Sequence, residues 1–404
     1  MAPSSSLTIT FSVSLFLLSL AGYYTTWHLL LNNAAGDLMY QLRDQGPHVL
    51  SVPSLASVSG SNASIQPLNS TIPLRKHYTG IPQLDYQLTV LVVFFWDQVS
   101  GAFPEYGPLN FHFASCIFIG WALLTLEGLR KGCKGKLVSW TGVWGLGVQV
   151  ATWACVGPVW LGLQVLTSPF NRGEQSRSDV EVEDVDVLSV LPALITGFLV
   201  PTLLMGAPVD RVEGWERKQL WVAVWQAFPL WVSLSRIVFA KLLRIGYGRN
   251  VAQGREKASS IKYRRVLYAI LLALTVVIQG TTLWMVSNQP GAPNLFTKDG
   301  FRYCVDHFQP RTMSPATKMG SIGEGAHLLL QWDEIVLLAS MVVWSSALLF
   351  GTTTSNGVSM QKYKYLLLAS VFLSCALPMG FTVSTIWLRD EIAYRQRDGN
   401  KKKQ

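Results

Sequence analysis

The sequence predicts an all-α fold, a polytopic integral membrane bundle with eight or nine transmembrane helices, and three observations carry that expectation. Of the 404 residues, 50% are hydrophobic and only 14% are charged, against about 25% charged in an average soluble domain. Nine apolar runs each approach the roughly 20 residues that a helix needs to cross hydrocarbon. The 33 Lys and Arg outnumber the 24 acids, for a net charge of +9, but they sit in short clusters between the apolar runs. That arrangement reports membrane orientation, so the expected partner is the lipid bilayer and no nucleic acid. Disorder is excluded by the same apolar excess.

In chain order the runs are 7–31, 84–103, 109–128, 138–166, 187–207, 219–240, 264–287, 326–351 and 364–388. The first lacks the basic leader and small-residue cleavage site of a signal peptide, so residues 1–31 read as a retained anchor helix. Residues 32–83 form a Pro/Ser-rich extramembrane loop, 84–388 the bundle and 389–404 a basic cytosolic tail. With nine crossings and the tail in the cytosol, 20 of the 33 basic residues fall on the cytosolic side and 12 on the other, eight of those 12 within 241–265. On that count one run is expected not to cross fully. The sequons at Asn62 and Asn69 place the loop 32–83 in the lumen as a glycosylation site. The terminal Lys401-Lys402-Lys403 resembles a cytosolic endoplasmic-reticulum retrieval signal. Eight crossings satisfy both signals.

Five cysteines, at 116, 133, 155, 304 and 375, are odd in number, lack CxxC spacing and read as small buried hydrophobes, so neither a disulfide framework nor a metal is expected. The sequence has no HExxH, P-loop, GxGxxG after a strand or GxSxG elbow, and no cofactor is expected. The acidic stretch 179–186 lacks a DDxxD-type pattern for magnesium diphosphate and reads as a solvated loop.

An ionisable group in hydrocarbon costs about 2.5–3.5 kcal/mol on insertion scales, so each one is a functional candidate. Asp97, Glu127, Asp333 and Glu334 are the candidate acids; Arg236 reads as a snorkelling or carboxylate-paired residue. Asp97 and Glu127 lie near run ends, where interfacial water or pairing with Arg130 is the alternative, and Asp333 and Glu334 could instead cap a helix start. At a period of 3.6, His327, Gln331 and Glu334 share one stripe, and His112, Cys116, Gly120 and Glu127 share another, so two helices are expected to present polar groups inward. Both histidines are also compatible with hydrogen-bonded packing. These parts suit protonation: a carboxyl kept neutral by burial can donate to an epoxide or alkene. Aromatic faces then stabilise the resulting cation by about 0.5–2 kcal/mol each.

The run FFWDQVSGAFPEYGPLNFHFASCIFIGWALLTLEGLR at 94–130, TSP at 167–169 and LLLQWDE at 328–334 resemble the signature of fungal membrane-bound terpene cyclases of the ascofuranone-pathway type. The resemblance implies a cofactor-independent cyclase or isomerase of secondary metabolism. Such an enzyme protonates an epoxidised prenyl (meroterpenoid) or polyketide tail, a lipophilic small molecule, in the endoplasmic-reticulum membrane. The matching positions are Trp96, Asp97, Glu127, Trp332, Asp333 and Glu334; Asp97 departs from the aliphatic or Pro residue usual after FFW. The expected catalytic residues are Glu127, Asp333, Glu334 and Asp97, and the expected substrate-binding residues are Trp96, Trp121, Trp332, Gln331, His112 and His327. The alternatives are an exporter of the metabolite, an epoxide hydrolase or a noncatalytic scaffold.

Overall fold

Inside a bilayer every peptide N–H and C=O must find its partner within the chain, so apolar runs fold as helices. The computed structural model describes residues 5–46, 48–52, 70–171, 179–209, 212–251, 261–314, 316–355 and 377–401, and their architecture is nearly all helical. Helix α1 (Ser5–Tyr23) runs on into a wide π-helical stretch, Tyr24–Ala35, and a short α2 (Gly36–Tyr40). Strands β1 (Val49–Val52) and β2 (Ser70–Pro73) pair antiparallel with Val49 opposite Pro73. Next come α3 (Pro82–Val99), α4 (Gly107–Gly128), α5 (Thr141–Ala151), α6 (Trp153–Thr167) and α7 (Asp184–Leu194). The chain continues through α8 (Val200–Gly206), α9 (Val212–Trp225), α10 (Phe228–Val251), α11 (Ile261–Ser287), α12 (Lys298–Phe308), α13 (Ile322–Ser355) and α14 (Pro378–Lys401). The sequons Asn62 and Asn69, Cys375, most of the run 364–388 and the last three residues lie outside the described residues.

Five described helical segments are long and apolar enough to cross a membrane: Ser6–Leu31, Pro104–Gly128, Asp184–Gly206, Ile261–Ser287 and Ile322–Thr353. Gly214–Trp225 and Phe228–Gly246 make a sixth if counted as one span bent by 70°. Two of the runs expected to cross are not among these. The run 84–103 becomes α3, whose first turns carry Pro82, Gln83, Asp85 and Gln87.

The run 138–166 breaks at Thr152, whose φ of 70° lies where an L side chain is strained, and its halves fold back on each other. Trp160 Nε1 donates to the Val138 carbonyl at 3.1 Å, Lys136 Nζ donates to the Thr167 carbonyl at 3.2 Å, and Trp144 stacks on Trp160 at 6.2 Å. Residues before α5 therefore meet residues at the end of α6, which makes the run a re-entrant hairpin.

This hairpin bears on the charge conflict. Glu183 pairs with both Lys134 and Arg244, and Asp390 pairs with both Arg130 and Arg264. The basic residues flanking 252–260 thus share one end of the bundle with the 130–136 cluster. At the other end, Trp96 Nε1 donates to the Ser51 carbonyl at 2.6 Å, and Gln98 Nε2 donates to the Gly323 carbonyl at 3.0 Å. The hairpin β1–β2 lies there.

The acidic stretch is not a solvated loop: Asp184 and Asp186 are buried. Asp186 pairs with Arg244 at 2.9 Å and with Arg236 at 3.7 Å, so these acids staple α7 to α10. Arg236 is accordingly a carboxylate-paired residue. Cys116, Cys133, Cys155 and Cys304 are all free thiols.

Candidate active site

The break in the 138–166 run positions the site. At a helix start the first peptide N–H groups have no partner within the helix, and those of α6 open in mid-bundle beside α13. Asp333 takes them: its Oδ1 accepts from Ala154 N at 2.5 Å and its Oδ2 from Trp153 N at 3.3 Å. The carboxyl group is enclosed, with Asp333 only 5% exposed.

Asp333 and Thr152 border a cavity of about 240 Å³ that is otherwise mostly apolar. One wall is Trp27 and Leu31 of the π-helical stretch; the others include Phe94 and Phe95 of α3, Phe113 and Ile117 of α4, and Trp225 and Phe228. Phe95 meets Trp225 edge-on at 5.8 Å, and Trp225 lies 5.3 Å from Phe228. Trp27 Nε1 donates to the Ala151 carbonyl at 3.2 Å, tying the first helix to the re-entrant turn. The π-helical stretch that continues the N-terminal helix is therefore a wall of this cavity.

The structure does not bring the four expected acids together; of the four, Asp333 alone lines the cavity. Glu127 lies in an ion cluster. It accepts from Arg130 at 2.7 and 2.9 Å and from Arg389 at 2.6 and 3.0 Å. Asp390 joins the cluster by accepting from Arg130, Arg264, Arg389 and the Tyr268 hydroxyl, while both Arg130 and Arg389 lie over the Phe170 ring, at 4.8 and 4.1 Å. Burial pushes the Asp390 carboxyl up, but the guanidinium groups of Arg130, Arg389 and Arg264 outweigh it and hold the acid well below the usual carboxylate range. Burial likewise works against the Arg130 charge, and Asp390 and Glu127 overcome it.

Asp97 sits at the end of α3 against Gly323. Glu334, the next residue on α13, turns away from Asp333 into contact with His112 Nδ1.

None of the six expected substrate-binding residues borders the cavity. Trp96 is buried 5.8 Å from Trp215. Trp121 is a core ring beside Trp160 and Phe228, at 5.8 and 5.2 Å. Trp332 is partly buried and packs against the core. The stripe on α13 exists but turns toward α4 and α12: His327 stacks on Tyr106 at 4.5 Å, Gln331 Nε2 donates to the His307 carbonyl at 2.9 Å, and Glu334 meets His112. The cavity rings are instead neighbours of expected ones, Phe94 and Phe95 beside Trp96 above all.

Among known proteins, the chain is 26% identical to the terpene cyclase ascI of Acremonium egyptiacum, over 79% of this chain and 80% of that protein. It is 25% identical to the terpene cyclase penA of Penicillium crustosum, over 82% of each. To the terpene cyclase ctvD of Aspergillus terreus it is 23% identical, over 78% of this chain and 85% of the relative. No solved structure matches it. The CtvD domain pattern is met from residue 11 to residue 394, a range that takes in the first helix, the re-entrant hairpin and α13 alike, and the chain therefore belongs to the CtvD domain family.

Proposed function

We propose that the protein is a membrane-embedded terpene cyclase that closes rings on an epoxidised prenyl or polyketide tail, with Asp333 as the proton donor. The observation that carries this reading is a single carboxyl group at the edge of an aromatic cavity, met by two peptide N–H groups. Its neutral form gives a proton to the epoxide oxygen, the C–O bond breaks, and positive charge develops on the more substituted carbon. Chain alkenes attack that carbon in turn, and the final cation passes a proton to the Asp333 carboxylate, which leaves an isomer of the substrate and restores the acid. The N–H groups of Trp153 and Ala154 stabilise the carboxylate left by the transfer, as donors at a helix start do. Phe95, Trp225 and Phe228 offer ring faces to the cation without a nucleophile to trap it. The chemistry asks for no cofactor.

On the positive-inside rule the Arg130 and Arg389 end faces the cytosol and the β1–β2 end the lumen, which would make Asn62 and Asn69 available for glycosylation in the endoplasmic reticulum. The test is expression in yeast with a supplied epoxyfarnesyl-phenol. A cyclic isomer of equal mass is expected from the unaltered chain, with loss in Asp333→Asn. A diol would identify a hydrolase instead, and accumulation outside sealed vesicles without chemical change would identify an exporter.

A further inference from the structure

One residue round α4 from the cavity-lining Phe113 and Ile117, a second polar cluster joins three helices. His112 and Cys116 stand one turn apart on α4, and Glu334 lies across from them on α13; one donor atom from each falls within 4.8 Å of the other two. Cys116 is 2% exposed, Glu334 3% and His112 9%. Cys116 Sγ is 3.8 Å from His112 Nδ1, and that nitrogen touches Glu334 Oε1.

The far side of the ring faces Gln279 on α11: His112 Nε2 lies 3.3 Å from Gln279 Oε1, and with that amide oxygen accepting, the ring hydrogen sits on Nε2. Nδ1 then faces a carboxylate oxygen, and two lone pairs in contact need a positive charge between them, either a second proton or a metal ion. Glu334 Oε2 is buried with no hydrogen-bond partner, so the carboxylate has a further donor position to offer.

We propose that His112, Cys116 and Glu334 form a site for one zinc-type divalent ion, separate from the Asp333 cavity. Imidazole nitrogen, thiolate sulfur and carboxylate oxygen are the donor types zinc takes. A thiolate and a carboxylate together cancel the two positive charges, which a low-dielectric interior demands of any buried ion. Binding releases the thiol proton and the proton held between His112 and Glu334. Gln279 supplies the outer hydrogen bond that orients a metal-bound histidine. A void of about 10 Å³ borders His112, Cys116 and Gln279 but not Glu334, about the smallest space that holds one water beside two of the three ligands. A His–Cys pair at i and i+4 completed from another helix has no CxxC or HExxH signature, which is why spacing alone pointed to no metal.

The test uses the full chain purified in detergent, stripped with chelator and reloaded with zinc or cobalt. After desalting, about one equivalent of metal per chain is expected, and cobalt should show a thiolate charge-transfer band. Cys116→Ser, His112→Ala and Glu334→Gln should each lose both, Gln279→Ala should weaken binding by about 10- to 100-fold, and Cys155→Ser should change nothing. In the unaltered chain zinc should also slow alkylation of Cys116, a readout that needs no variant to fold. Equal metal in all three ligand variants would mean an adventitious ion only. No metal in the unaltered chain and no protection of Cys116 would leave a proton-bridged pair. Either result overturns the proposal.

Discussion

Two buried carboxyl sites in this bundle have similar enclosure and opposite surroundings. Glu127 and Asp390 are met by guanidinium groups from three arginines; Asp333 is met by peptide N–H groups and opens on rings. The first set ties α4, α11 and α14 together at the charged end. The second leaves its acid beside empty space in mid-bundle. Burial alone, then, does not say what an acid is for. A carboxyl clasped by arginines is committed to being an anion, and one met only by N–H dipoles in an apolar chamber can carry a proton and give it up.

The contrast is broken most sharply at Asp333. Asp333→Asn keeps the shape and removes the proton, so isomer formation should fall by about 10²- to 10⁴-fold, the usual contribution of a positioned acid, while the detergent-solubilised chain melts within a few degrees of the original.

Asp390→Asn should do the reverse. Leaving buried arginines uncompensated costs about 3–5 kcal/mol, so thermal stability should drop sharply while turnover per folded molecule persists. If Asp390→Asn abolished chemistry without loss of stability, the roles assigned to the two regions would be exchanged.

Trp225→Ala sharpens the cavity side. Removing one ring face worth about 0.5–2 kcal/mol of cation stabilisation should lower cyclisation by about 2- to 30-fold and raise the share of uncyclised or early-quenched products, as read by chromatography.

The smallest effect is expected at Glu391, on the rim of the ion cluster. The hydrogen-bonded Arg265 guanidinium holds its carboxyl below the ordinary value against the opposing pull of burial. A depressed folded-state value adds stability above the unfolded value of about 4.3 and loses it as pH falls through the folded one. The melting difference between the original and Glu391→Gln should therefore be present at neutral pH and shrink in acid below about pH 4.

Legibility in the sequence followed the range of the interaction. The helical nature of most runs was readable because partitioning into hydrocarbon is summed residue by residue along one segment. That Arg236 either snorkels or pairs with a carboxylate was readable too, since a guanidinium in an apolar run needs water or an anion, and Asp186 is the partner the fold supplies. Whether the run 138–166 crosses was not readable: Trp144 and Trp160 are equally apolar in a straight helix and in a hairpin that stacks one on the other. The strained Thr152 at the turn has no signature of its own. Glu127 shows the limit at a single residue. Its neighbour Arg130 was visible three positions on, but Arg389, which completes the clasp, comes from the other end of the chain.

By itself the sequence determined a set of long apolar helices of the kind that suit a bilayer, and the motif that marks its family, because each depends on residues close together in the chain. Only the tertiary structure decided which acid meets which partner. Asp333 acquires its N–H donors from α6 and its rings from the π-helical stretch, α3, α4 and the α9–α10 bend, elements that share no local pattern with it. Their meeting depends on the packing of the whole bundle, and the free energy that distinguishes a proton donor from an ion-pair anchor resides in those long-range contacts.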